Sequence, residues 1–501
     1  MNWTKLLSGS DVRGTASGEN ITLTTDIAEA LGLAFVRYLC KKYGKSASEI
    51  TVSIGRDSRI SGPELMAAAA KGISRACASV INFGMCTTPA MYMSTITEGF
   101  LTDGAIMITA SHHPWNKNGL KFFDRDGGLE ANEVSGLLAV AEELSLNDFP
   151  AVGTITEKAF LPVYKEQLAN RIKNGLHTDL EKPLIGLHVA VDAGNGAGGF
   201  YAELLESLGA NIEGSRFLEP DGYFPNHIPN PENPDAMSAV RDAVLSSGAD
   251  LGVIFDADCD RAAIVDCDGR EINRNRLIAL ISAILLSDRP GQTIVTDSVT
   301  SSGLKQFISD HGGEHYRYKR GYRNVIDEAI RLNAEGITCP LAIETSGHAA
   351  LKENHFLDDG MYLVTVLLVE AMKLKKQGRT IGSLISDLRE PVESTEIRLN
   401  IIDDDFRTKG REAIQLVLNY ADTADTWHIA PDNREGVRVS FDLGDRKDAG
   451  WFLLRLSVHD PVLPLNVESD VPNGIHEMLF GLYSVLKGIS GIDLTNLEKS
   501  L

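Results

Sequence analysis

Five stretches of the chain share one pattern, a short β-branched or apolar run that stops at small polar residues: AIMITASHH (105–113), LHVAVDAGNGAGG (187–199), LGVIFDADCDR (251–261), TIVTDSVTSSG (293–303) and LAIETSGH (341–348). Continuous apolar runs of this length predict strands buried on both faces. Helical patterns lie between them. Asn233-Pro234 supplies a cap and a first-turn proline, Met237, Val240 and Val244 repeat at helical spacing, and Ser246-Ser247-Gly248 ends the segment. Alternation of strand and helix predicts parallel or mixed sheets, whose ligands bind beyond the carboxyl ends of the strands, where these polar tips fall. The last part reads differently. EIRLNI, GVRVSFD, WFLLRLS and LPLNVES look like strands around a helical pattern over 406–420, a small α+β unit.

With 501 residues the chain is too long for one core and predicts several domains. Turns near 151–156, 266–271 and Pro391 divide it into 1–153, 154–268, 269–391 and 392–501. Hydrophobic content of 43% and charged content of 23% are those of a globular chain. The net charge of −21, with no strong basic run, argues against a nucleic-acid partner. No apolar run approaches the ~20 residues of a membrane helix, so no membrane partner is expected. The N-terminus shows no apolar signal-peptide core. Six scattered cysteines form neither a CxxC pair nor a zinc spacing, which predicts free thiols and a cytoplasmic location.

Chemistry gathers at the polar tips. In TASHHPWNKNGLK (109–121), Ser111 is a candidate nucleophile, His112 and His113 can position or exchange protons, and Lys121 can polarise a phosphate. The G-x-S-x-G elbow of hydrolases is missing. In DADCDR, Asp256, Asp258 and Asp260 share one face if the loop is extended, with Cys259 turned away. Three carboxylates repel unless a cation lies between them, and an oxygen-only set suits Mg²⁺. Arg261 beside them can orient a phosphate. GRDSR (55–59) and SDVRG (10–14) read by themselves as loop ion pairs. ETSGH (344–348) sets a carboxylate, hydroxyls and an imidazole on a glycine turn, a combination suited to sugar hydroxyls. KRG (319–321), REGVRVSF (434–441) and RLSVHDPVLPLNVES (455–469) supply local positive charge for a phosphate.

In this order, these segments resemble the α-D-phosphohexomutase family, nearest its phosphomannomutase/phosphoglucomutase branch, over essentially the whole chain. The matching pieces are DVRG (11–14), GRDSR, TASHHP with NGLK, DADCDR, ETSGH and the segment 455–461. The resemblance implies three similar α/β domains with mixed sheets and a smaller C-terminal α+β domain around a central cleft. It implies a phosphohexomutase that interconverts hexose 1-phosphate and hexose 6-phosphate of glucose and/or mannose. Ser111 would carry the phosphoryl group, and a hexose 1,6-bisphosphate would be the intermediate.

By the same resemblance Mg²⁺ is held by Asp256, Asp258, Asp260 and the phosphoryl group on Ser111. Arg13 and Lys121 match positions near the acid/base step, in which His348 shares the proton work; His112, read from its place beside Ser111, is a further catalytic candidate. Glu344 and Ser346 match the grip on sugar hydroxyls. Lys319, Arg438, Arg455 and Ser457 match the parts that hold the distal phosphate. His113 replaces the usual Asn after SerHis, and Val458-His459-Asp460 replaces the small and hydroxyl residues of the last phosphate loop. There His459 can donate to a phosphate, whereas an inward Asp460 would repel one. That departure keeps open a hexose 1,6-bisphosphate synthase on the same fold. A sugar-phosphate-binding protein without catalysis is the further alternative. The protein is expected as a monomer or homodimer.

Overall fold

The structure, a computed structural model, describes residues 3–150, 152–457 and 460–501. The chain forms two compact units. One runs to Leu277 and takes back Ser346–Leu384; the other comprises Ile278–Thr345 and Ile385–Leu501.

The first unit opens with a mixed sheet. Strand Thr51–Arg56 lies parallel to Gly104–Ile108 and Ser79–Met85, and Gly104–Ile108 pairs antiparallel with Lys117–Asp124, which in turn pairs antiparallel with Asp11–Thr15. Every residue of Gly104–Ile108 is buried, as its unbroken apolar run predicts. Helices Thr25–Tyr43, Gly62–Arg75 and Ala131–Glu142 contribute their apolar stripes to the core of this section. The sheet does not stop at the expected boundary after residue 153. Its edge strand Ile155–Glu157 pairs with Ser79–Met85, and Gly153 is seated against the Ala78 carbonyl, where a Cβ would lie 2.0 Å from the oxygen.

A second sheet in the same unit has Val189–Asp192 parallel to Leu251–Phe255, which turns back antiparallel into Ala262–Asp266. Residues 256–261 are the turn of that hairpin. Helix Pro234–Ser247 precedes it as the pattern predicts. The Asn233 side chain accepts the backbone N–H groups of Asp235 and Ala236, and Gly248 ends the helix at φ 69°. The returning segment adds the hairpin Ala349–Leu351 with Leu357–Asp358 and the helix Gly360–Lys375, which packs on Leu161–Gly175.

The second unit contains the parallel strands Glu314–Arg317, Thr293–Thr296 and Leu341–Ile343. Its C-terminal section is an antiparallel sheet in the order Trp427–Ile429, Val437–Leu443, Arg446–Leu454, Val462–Ser469, Glu393–Ile401, Ile492–Asp493. Helices Phe406–Ala421 and Gly474–Leu486 pack their apolar faces on that sheet. The architecture is therefore three α/β sections and a final, mostly antiparallel one. Among the described residues no helix is long and apolar enough to cross a membrane.

Candidate active site

In the first unit the polar tips of two sheets meet. Ser111 follows strand Gly104–Ile108 by three residues and takes φ 49°, a left-handed conformation that costs a non-glycine residue about 1 kcal/mol or more. Its hydroxyl donates to Asp256 Oδ2 at 2.7 Å, receives Arg261 Nη2 at 3.0 Å, and lies 3.3 Å from His112 Nδ1. Gly119 lets the neighbouring strand approach, since a Cβ there would stand 2.3 Å from the Val12 carbonyl and 2.8 Å from that of Thr109. That close packing sets Arg13 opposite Gly119 and Lys121 opposite Met107.

The acidic turn is tighter than an extended loop. Cys259 adopts φ 67° and is buried, so its side chain leaves the carboxylate face for the core beside Gly198. One oxygen from each of Asp256, Asp258 and Asp260 falls within 4.8 Å of the others, and all three residues are buried. Lys121 Nζ donates to Asp258 Oδ2 at 2.9 Å and also to Asp260 Oδ2. Arg261 Nε donates to Asp256 Oδ2 at 3.1 Å. Thr88 Oγ1 donates to Asp258 Oδ2 at 2.5 Å.

Two carboxylate oxygens, Asp258 Oδ1 and Asp260 Oδ1, are buried and accept no hydrogen bond among the described residues. Buried acceptors without donors are costly, and here they belong to an all-oxygen set already leaning on an ammonium as its cation. The residues therefore fit a divalent metal ion. Burial and the neighbouring Asp260 and Asp258 push the Asp256 carboxyl well above the usual range. Burial also acts upward on Asp260, but Lys121, His348 and Arg261 outweigh it and hold that carboxyl low.

Two histidines beside Ser111 are pushed toward the neutral form. Burial, then Arg261 and His113, hold His112 far below its ordinary value, and burial with Arg13 and Arg59 brings His113 down to about 4. His348 Nδ1 lies 3.0 Å from Ser346 Oγ, and its Nε2 lies 3.7 Å from Asp260 Oδ1. Gly347 makes that turn at φ 94°, with its Cα hydrogens against the Ala262 carbonyl. The first unit thus gathers Arg13, Ser111, His112, Lys121, Asp256, Asp258, Asp260, Arg261, Ser346 and His348.

The second unit holds the remaining candidates. Glu344 Oε1 accepts the Gly321 N–H at 2.6 Å, which ties Glu344 to the KRG loop. Lys319 is exposed at that loop. Arg455 is mostly buried, with Nε lacking a hydrogen-bond partner among the described residues; burial and then Arg320 lower its pKa. Ser457 Oγ accepts the Asp460 N–H at 3.2 Å, and the Asp460 side chain is exposed. Val458 and His459 lie outside the described residues.

Arg438 departs from its expected role. It is buried, donates to the carbonyls of Ser298 at 2.9 Å and Thr300 at 3.1 Å, and stacks 3.5 Å from the Trp451 ring centroid. A guanidinium so occupied is a brace between the third and fourth sections, because leaving those partners for a phosphate would strand buried carbonyls. The sequence reading also missed Thr88, whose contact with Asp258 spans 170 residues and has no local signal.

Family models match three segments: phosphoglucomutase/phosphomannomutase alpha/beta/alpha domain I at 4–142, domain II at 162–269 and domain III at 273–392. A phosphoglucomutase of Neisseria gonorrhoeae is 30% identical over 93% of this chain and 94% of its own. A phosphomannomutase/phosphoglucomutase of Pseudomonas aeruginosa is 30% identical over 96% and 95%. The crystal structure of a phosphoglucomutase/phosphomannomutase family protein from Burkholderia thailandensis superposes with a TM-score of 0.80 at 27% identity, covering 98% of each chain.

Proposed function

The chain belongs to the phosphoglucomutase/phosphomannomutase family, and from that membership we propose that it interconverts the 1- and 6-phosphates of glucose and/or mannose with Ser111 as the phosphoryl carrier. The observation that supports this reading is the setting of Ser111 Oγ, between the Arg261 guanidinium and Asp256 at the edge of a carboxylate set that fits a metal ion. Phosphoryl transfer demands positioning and charge compensation more than covalent help, and this setting supplies both.

In the forward half-reaction the Ser111 Oγ–P bond breaks and a bond forms from phosphorus to a hydroxyl oxygen of the sugar. The hydroxyl proton leaves to a base beside it, and the product is hexose 1,6-bisphosphate. The bisphosphate then presents its other phosphate, which returns to Ser111 by the reverse step. Arg261 stabilises negative charge on Oγ as the P–O bond breaks, and Oγ takes up a proton to leave as the serine hydroxyl. Lys121 and His348, which both face Asp260, are the groups placed to give and take the proton, with Arg13 adding positive charge. Asp256, Asp258 and Asp260 would hold Mg²⁺, the hard cation an all-oxygen set suits, and when bound it supplies neutralising charge to the phosphoryl oxygens.

Glu344 and Ser346 would bind sugar hydroxyls. Lys319, Arg455, Ser457 and His459 would hold the distal phosphate. All six cysteines are free, which fits a reducing, cytoplasmic setting. A hexose 1,6-bisphosphate synthase on the same fold is the second reading, and the Val458-His459-Asp460 departure is what favours it.

The test is an assay of purified protein with glucose 1-phosphate and mannose 1-phosphate, with and without a trace of hexose 1,6-bisphosphate, resolving all products. The reading expects the 6-phosphate in both cases or one, and none from Ser111→Ala. Release of bisphosphate alone, or full turnover by Ser111→Ala, overturns it.

A further inference from the structure

Arg59 has no exposed surface, and its five N–H donors are all spent. Nε donates to Asp57 Oδ2 at 3.1 Å; Nη1 donates to the carbonyls of Pro114 at 2.8 Å and Lys117 at 2.9 Å; Nη2 donates to the carbonyls of His113 at 2.7 Å and Ser111. One guanidinium thus gathers four carbonyls of a single seven-residue loop. Asp57 closes the other side. Its Oδ2 accepts Thr109 Oγ1 at 2.7 Å, and Thr109 Oγ1 accepts the Ser111 N–H at 2.9 Å. Both faces of the Ser111 backbone are therefore tied to one buried ion pair.

The pair is capped by the other sheet's section of the first unit. Phe224 lays its ring 5.1 Å from the Arg59 guanidinium, and Gly222 bridges to the Arg59 backbone, where a Cβ would lie 2.4 Å from the Ser58 carbonyl.

We propose that Asp57 and Arg59 are positioning residues that hold Ser111 in its left-handed conformation, so that its oxygen stays aimed at the transferring phosphoryl group. The physical need is clear from the strain. A serine at φ 49° relaxes to the right-handed or extended region unless its surroundings prevent it. A bare ion pair would not need five directed donors, and a lysine, with three donors and no plane, cannot reproduce the fan. The inference rests on Ser111 being the carrier.

The experiment measures Arg59→Lys, Thr109→Val and Ser111→Ala side by side. Readouts are melting temperature, Mg²⁺ affinity, KM for the hexose phosphate, and the single-turnover rate of Ser111 phosphorylation by hexose 1,6-bisphosphate. Arg59→Lys should lower the phosphorylation rate by about 100-fold, the scale for a reacting group displaced by about 1 Å, with KM and Mg²⁺ affinity near the wild-type values. Thr109→Val, which removes the hydroxyl that links the Ser111 N–H to Asp57, should lower the same rate by roughly ten-fold while Arg59 and its four carbonyl contacts stay in place. A wild-type rate in folded Arg59→Lys and Thr109→Val overturns the inference, as does a loss carried wholly by KM. Should Arg59→Lys not fold, Thr109→Val decides alone. If Ser111→Ala itself stays active, the carrier assignment fails instead, and the two failures are told apart.

Discussion

Replacing Lys121 by methionine removes an ammonium that lies against two of the three buried carboxylates. Its side chain is 5% exposed and those of Asp258 and Asp260 are 0% and 4% exposed, so solvent screens the pair little. At the 2.9 Å separation from Asp258, the Coulomb attraction is about 6 kcal/mol at an effective dielectric of about 20. Recovered hydration of the ammonium offsets part of it, and breaking a buried pair from one side costs about 3–5 kcal/mol net. Lys121→Met should therefore be destabilised by about that amount in excess chelator. Because the ammonium competes with a metal ion for the same oxygens, the variant should also bind Mg²⁺ more tightly. Saturating ion then recovers much of the loss, since binding at 1,000 times Kd contributes about 4 kcal/mol. The assay is urea unfolding in chelator and in Mg²⁺, with hydrogen exchange of the Leu251–Phe255 amides to locate the change at the strand that enters the acidic turn. If the variant is as stable as wild type in chelator, or gains no more than wild type from Mg²⁺, the reasoning about charge in this site is refuted.

Three further outcomes are expected. Thr88→Val, which takes the hydroxyl donor from Asp258, should weaken Mg²⁺ binding by roughly 10- to 100-fold, measured by calorimetry. His113, held near 4 in the folded chain against 6.5 when unfolded, binds its proton first in the unfolded state. Stability should fall as pH drops from about 6.5 toward about 4, and His113→Gln should fall less over that window, as read by denaturation at each pH. Arg438→Met should cost about 2–4 kcal/mol in the stability of the second unit, by stranding the Ser298 and Thr300 carbonyls, with little change in KM for hexose phosphates.

What could be read from the sequence was local. Strand Gly104–Ile108 and helix Pro234–Ser247 were legible because an apolar run buried on both faces, or a cap followed by a 3.6-residue period, is written in consecutive residues. Asp256, Asp258 and Asp260 were legible as a cation set for the same reason, although the turn is compact and Cys259 leaves the face by a left-handed backbone rather than by strand alternation. Edge strand Ile155–Glu157 was not legible, since all three of its residues are exposed and carry no burial pattern. Arg438 has the charge of a phosphate ligand, and only the packing of Trp451 and the Ser298 and Thr300 carbonyls shows that charge to be consumed internally. Arg59 was legible only as the partner of Asp57. Its four carbonyls lie 52 to 58 residues away, a separation at which no residue pattern signals contact.

The proposed function turns on Ser111 as the phosphoryl carrier. The direct measurement is intact-mass and peptide-level mass spectrometry of wild type and Ser111→Ala after incubation with hexose 1,6-bisphosphate. One added phosphoryl group is expected in the wild type, mapped to Ser111, and none in the variant. A phosphoryl group on any other residue, or on Ser111→Ala to the same extent, contradicts it.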